Sequence, residues 1–368
     1  MAVSKTLTDY QIRNQVYLER LKAGEVKTLE SMLVHQGREI RRILSGVDVT
    51  DYSRARFEVL LGEIDRILVD IHRPYLATFS TDLDELAKHQ SDFEIRALDS
   101  IAPATISFAV PSDAQVISAL RLNPMGITGA SGGKLLSTFL EDYEAGERDM
   151  MTGAIRQGFF EGKTSAQIIT SIIGTKANRY TDGIMQMSRR NAEAVVRTSV
   201  QHAAMQGTLE AFKANEDVLQ GYQWVSTLDS RTSQTCRSLD GLVFKFGKGP
   251  VPPAHVNCRS RIVPELDNDL QWLTEGETRS SIDGYVPAET SYYEWLKTQP
   301  AGFQDDALGP TRAKLFRDGG IGPSEFARLN LGRNFEPLTL YGRFDSSGKL
   351  IQEGMIHKDP LAFKRAGI

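Results

Sequence analysis

Both cysteines of this 368-residue chain, Cys236 and Cys258, fall within two neighbouring stretches, "LDSRTSQTCRSLDG" and "PPAHVNCRSR". The second stretch also carries His255, one of only six histidines. From Asp229 to Ser260 the pattern is D-S-R-T-S-x2-C-x18-H-x2-C-R-S. Four chemistries suit these residue types. Thiolate and imidazole are the preferred ligands of zinc, and Cys236, His255 and Cys258 supply three of the four donors of a structural site. The fourth would come from Asp229, Asp240, a distant histidine or water. A disulfide between Cys236 and Cys258 is a second reading, which synthesis in a reducing compartment disfavours. In a third, Cys236 is a nucleophile, His255 its base and Asp229 the orienting group of a thiol-dependent hydrolase or a nuclease-like enzyme. In the last, Asp229, Arg231, Thr232, Asp240, Gly241 and Arg259 build a tight loop of ion pairs and turns, and the thiols are buried as small apolar groups.

Two other signatures fail on spacing. The loop "GITGASGGK" lacks a P-loop's first glycine and its final hydroxyl residue, because Thr128 and Leu135 occupy those places. The triplet Glu275, Gly276, Glu277, with Arg231 and Ser233 upstream, imitates part of an ADP-ribosyltransferase, but the Ser-Thr-Ser strand is missing.

These residues need elements to position them. Apolar residues at Leu18, Leu21, Leu29, Leu33, Ile40 and Leu44 predict one amphipathic helix. A second starts near Phe57 and runs through Leu61, Ile64, Leu68 and Ile71, with Pro74 expected to limit or kink it. Residues 83 to 98 continue in helical style. Pro103, Pro111, Pro124 and the glycine-rich loop mark 101–134 as a hinge or linker. Helical periodicity resumes over 135–215. At Gly221 the style changes to the alternation "GYQWVSTLD", which predicts a small β-containing module near residues 221–265. Beyond Asp267 the chain reads as polar and irregular as far as "SYYEWLKTQP", where helix returns, and "DSSG" centres a short strand pair. The fold class is α+β, predominantly helical, with a helical arm over 1–100, a hinge over 101–134, a domain over 135–265 and a mixed C-terminal region over 266–368.

Composition narrows the function classes. A hydrophobic share of 40% supports real cores, and the length implies two or three domains. A net charge of −4 gives no global attraction to nucleic acid, so any such contact is local, as at Arg38, Arg41 and Arg42 or Arg189 and Arg190. No apolar run suits a membrane span and the N-terminus lacks a signal-peptide core, which predicts a soluble protein that stays in the cytoplasm.

The ordered combination of "YQWVSTLDSRT", a cysteine, "LDGLVF", a proline-rich loop and "HVNCRSRIVP", behind the helix "VVRTSVQHAAMQGTLEAF", resembles the head morphogenesis domain of tailed bacteriophages, known from phage Mu F-like minor head proteins. The resemblance covers roughly residues 135–265. Many members carry C-x2-C followed by H-x2-C-x-C, a ligand set that looks like a zinc site. Here Ser233 and Ser260 stand where the first and last cysteines would be. The resemblance implies a minor capsid protein that acts by binding in procapsid assembly. Its expected partners are the portal protein and the major capsid or scaffold protein, with contact to packaged DNA and no membrane. Several copies per virion are expected, at the capsid interior or portal vertex, after assembly in the host cytoplasm.

Overall fold

The computed structural model describes residues 7–128 and 132–368. Helix α1 (Leu7–Ser45) turns Leu18, Leu29, Leu33, Ile40 and Leu44 fully inward, the face predicted from their spacing. After it, Asp48 accepts hydrogen bonds from the amide and hydroxyl of Thr50 in a single 3-10 turn. Ser53 then caps α2 (Arg54–Ile101) by accepting from the Arg56 amide. The two helices form an antiparallel hairpin in which Gln36 meets His72 at 2.6 Å and Tyr17 meets His89 nearer the open end. With 48 residues, α2 is about 72 Å long.

Pro74, expected to limit or kink this helix, sits inside it. The ring removes one backbone hydrogen bond. Leu68, His72, Leu76 and Phe79 are buried on either side of it, so packing against neighbouring helices carries the chain through the lost bond.

The segment read as a hinge contains a docked helix, α3 (Asp113–Leu122). Ser112 and Gln115 form its capping box, Val116 and Leu120 are buried, and Arg121 grips Asp84 of α2 through two hydrogen bonds of 2.8 and 2.6 Å. Within the glycine-rich loop, residues 129–131 lie outside the described residues. On its near side the Met125 amide donates to the Lys134 carbonyl and the Thr128 amide to the Ala254 carbonyl. Helix α4 (Leu136–Phe160) returns along α2, with Phe57 and Phe159 stacked at 3.8 Å and Arg148 on Asp65. Helix α5 (Ser165–Ile173) joins the bend of the hairpin, where the Ser165 hydroxyl donates to the Val47 carbonyl.

Helix α6 (Met185–Lys213) runs through the middle and is buried almost all round in its second half. Small residues allow this. A Cβ on Gly207 would collide with the Ala87 carbonyl, so glycine is what lets α6 and α2 touch backbone to backbone.

The β module follows directly. Strand β1 (Leu219–Val225) pairs antiparallel with β2 (Val243–Phe244) on one side and β3 (Arg261–Leu266) on the other, and the short helix α7 (Gln234–Leu239) lies between β1 and β2 in the chain. One face of the sheet buries Tyr222, Trp224, Ile262 and Leu266, as alternation predicts.

The region after Asp267, read as irregular, holds a 3-10 turn at Asn268–Thr274 and a hairpin of β4 (Thr278–Ser281) and β5 (Gly284–Pro287). Polar strand residues hid the hairpin, although the Asp283-Gly284 pair is a turn signal. Four short helices come next, α8 (Tyr292–Lys297), α9 (Ala301–Leu308), α10 (Pro310–Asp318) and α11 (Pro323–Leu329). The predicted strand pair is β6 (Arg343–Phe344) with β7 (Leu350–Gln352), and α12 (Met355–Lys358) and α13 (Pro360–Ala366) end the described chain's regular structure. Tyr292, Tyr293, Trp295, Phe316, Phe326 and Phe363 fill a separate aromatic core here.

Candidate metal centre

Residues 254–258 form a turn over the second half of α6. The Asn257 backbone has φ of 61°, and its amide donates to the hydroxyl of Thr198 on α6 at 3.0 Å. One helical turn further on, Gln201 donates to the Ser260 carbonyl at 2.7 Å and accepts at 2.7 Å from buried Lys22 of α1. Facing this turn, Ser233 caps α7 by accepting from the Cys236 amide, which fixes the first cysteine. Gly241 reverses the chain at φ of 80°, its amide bonded to the Trp224 carbonyl.

The three donors foreseen from spacing converge. Cys236 Sγ lies 3.1 Å from His255 Nε2 and 3.6 Å from Cys258 Sγ, and both cysteines are free thiols, so the disulfide reading fails. A tetrahedral zinc with Zn–S bonds of about 2.3 Å would separate two sulfurs by about 3.8 Å, close to the spacing present. His255 Nδ1 is 2.8 Å from the Val256 carbonyl, which only accepts, so Nδ1 carries the proton and Nε2 faces the sulfurs with its lone pair. That tautomer is the one a metal ligand requires. The donor set therefore fits zinc on three corners.

Neither carboxylate offered by the sequence supplies the fourth. Asp229 is held by Arg259 through two bonds of 2.7 and 2.8 Å and accepts from the Arg231 amide, and Thr232 lies 3.1 Å from it. Asp240 is held by Arg279. The Arg231 side chain is 80% exposed, 3.7 Å from Asp229, so Arg259 rather than Arg231 holds the loop. The hydroxyls of Ser233 and Ser260 remain beside Cys236, and Ser226 joins them, its hydroxyl 3.2 Å from that of Ser260 and donating to the Cys236 carbonyl.

Charge within the triad is uneven. The hydrogen bond from Cys236 holds the Cys258 thiol well below its usual range despite burial, with His255 adding to the effect. The same bond, seen from Cys236, joins burial in pushing that thiol up. Burial opposes charge on His255, but the bond and charge of Cys258 outweigh it and raise the imidazole. Cys258 is the donor readiest to lose its proton, and a cation would have to displace the protons held on Cys236 and His255. A raised Cys236 thiol does not suit the hydrolase reading, which makes that thiol the nucleophile. Asp229 does not orient His255, and both cysteines are buried.

Sequence reasoning missed Arg279, Gln201, Thr198 and Lys22, which secure the site from other elements. The signal available was Thr198 and Gln201, two polar residues one turn apart on one face of α6.

Residues 149–263, from within α4 to β3, match the family model described as phage Mu protein F like protein. The match spans under a third of the chain and agrees, for that segment, with the resemblance to phage head morphogenesis proteins. No curated protein and no solved structure matches the chain. Among the described residues no helix is long and apolar enough to cross a membrane.

Proposed function

We propose that this protein is a minor head protein that enters the procapsid by protein binding, at the portal or the inner capsid surface, with several copies in each virion. The match over residues 149–263 carries this reading. The long α1–α2 hairpin supports it, because it leaves apolar Val34 and Val59 exposed to a partner. Portal protein and major capsid or scaffold protein are the partners. Co-expression with these proteins, followed by sedimentation and quantitative mass spectrometry, tests it: a fixed number of copies should travel with assembled heads. Chain found only in the unassembled fraction would refute it.

In this reading zinc is a structural clip on Cys236, His255 and Cys258, with a serine hydroxyl or water as the fourth ligand. Native mass spectrometry with and without a chelator should show one zinc, lost together with thermal stability. A folded, stable chain with no mass excess would sink the metal. Packaged DNA is met through the exposed Arg38, Arg41 and Arg42 near the end of α1. Such binding should weaken steeply between about 50 and 200 mM salt.

A further inference from the structure

The outer face of the β1–β3 sheet, opposite the one that packs on α6, is only half covered. Gln223 and Val225 of β1 and Arg261, Val263 and Glu265 of β3 lie on it, all partly exposed. The start of α1 walls it on one side and β4 on the other, leaving two adjoining cavities of about 240 and 230 Å3 that share Gln11, Val225, Arg261 and Arg279. Together they make one cleft.

Its two ends differ in charge. Arg259, Arg261 and Arg279 line the first cavity, and no acidic residue does. Two of these arginines have counter-charges, Arg259 on Asp229 and Arg279 on Asp240. Arg261 forms no ion pair among the described residues and gives one of its five N–H donors to Gln11 at 2.8 Å. Its guanidinium is pushed down to about 10, by burial first and by neighbouring Arg279 as well. Nearby Glu94 partly offsets this, and burial pushes Glu94 itself up to about 7. The other cavity is lined by Glu265, Glu277 and Glu289. An anion at the arginine end would meet the unused donors of a guanidinium that has no ion-pair partner among the described residues. A long acidic run or a nucleic-acid backbone would place further negative charge against the glutamates. Val225, shared by the two cavities, and Val263 of the second offer apolar neighbours to a single acid.

We propose that this cleft receives one carboxylate, carried by an aspartate or glutamate in an extended segment of a partner protein, with Arg261 as its ligand. This goes beyond the head-assembly reading, and it does not depend on whether zinc is bound. β3 is an edge strand in the order β2-β1-β3, so an extended segment can lie beside it.

The test uses the full chain and a fluorescein-labelled hexapeptide with one glutamate among valines and leucines, against its glutamine counterpart, followed by anisotropy at fixed ionic strength. The glutamate peptide should bind at least about ten-fold more tightly, as expected for charge-assisted hydrogen bonds. Arg261→Gln should abolish that preference. Because removal of Arg261 could disturb the sheet, Val16→Glu is the companion variant: Val16 is 46% exposed at the mouth of the arginine end, so a fixed carboxylate there should compete without unfolding the chain. Equal binding of the two peptides, or a preference that survives both variants, would overturn the proposal. Displacement of the peptide by acetate or inorganic phosphate at equal concentration would overturn the assignment to a peptide-borne carboxylate.

Discussion

Asp240 joins three parts of the chain that sequence reading kept apart. Its carboxylate accepts from both terminal nitrogens of Arg279 at 2.9 Å, from the Ser226 amide at 2.6 Å and from the Tyr292 amide at 2.5 Å. The side chain is fully inaccessible and that of Arg279 is 6% exposed. In Asp240→Asn one oxygen becomes an NH2 facing donors, and the guanidinium loses its counter-charge. Breaking a buried pair from one side costs about 3–5 kcal/mol. An orphaned amide donor adds about 1–3 kcal/mol, with some overlap between the two, so we expect a loss of about 4 kcal/mol. Arg279→Met should be comparably harmful, since it leaves the carboxylate buried and unpaired. Often a buried pair can be replaced by apolar residues at little net cost. Here Asp240→Leu with Arg279→Met should recover only part of the loss, because the Ser226 and Tyr292 amides then have no acceptor. Urea unfolding at 25 °C, with the midpoint shifting at constant slope, reads each value. A loss below about 1 kcal/mol for Asp240→Asn, or a double variant as stable as the parent, would refute this account.

Three further outcomes are expected. Arg259→Lys should lower the melting temperature by giving up the two-pronged contact with Asp229, whereas Arg231→Lys should leave it unchanged; the reverse ranking would overturn the assignment of the loop to Arg259. Gly207→Ala should destabilise by about 1–3 kcal/mol through separation of α6 from α2, measured by thermal unfolding, and a neutral result would contradict the close crossing. Burial lowers His72 and His202 to about 4, so each contributes stability that is present above pH 6.5 and lost as pH falls through 4, up to about 3 kcal/mol apiece. Glu94 works in the opposite sense: raised to about 7, it favours the fold below pH 4.5 and loses that contribution as pH rises through 7. His202→Gln should flatten the acid side of the stability profile and Glu94→Gln the neutral side, and unchanged slopes would count against both assignments.

The helices and the triad were legible because each rests on local information. Leu18, Leu29, Leu33, Ile40 and Leu44 announce a face by spacing alone, and Cys236, His255 and Cys258 are rare residues held in one short loop system. What stayed hidden depends on distant partners. Pro74 reads as a breaker until the packing around Leu68 and Phe79 is known. Arg231 and Arg259 look equivalent beside Asp229, and only the folded turn shows one facing inward and the other facing water. Arg279 lies 39 positions from Asp240, in a polar stretch with no periodicity to mark it as a strand.

The contact between Gly207 and Ala87 also has a mechanical meaning. Side chains between two helices act as a compliant layer that can change rotamer and absorb movement. Where backbone meets backbone that layer is missing, so at this crossing a displacement of α2 is passed straight to α6. α6 in turn grips the cysteine turn through Thr198 and Gln201. The turn that carries His255 and Cys258 is thus tied, through two hydrogen bonds and one backbone crossing, to the longest helix of the chain.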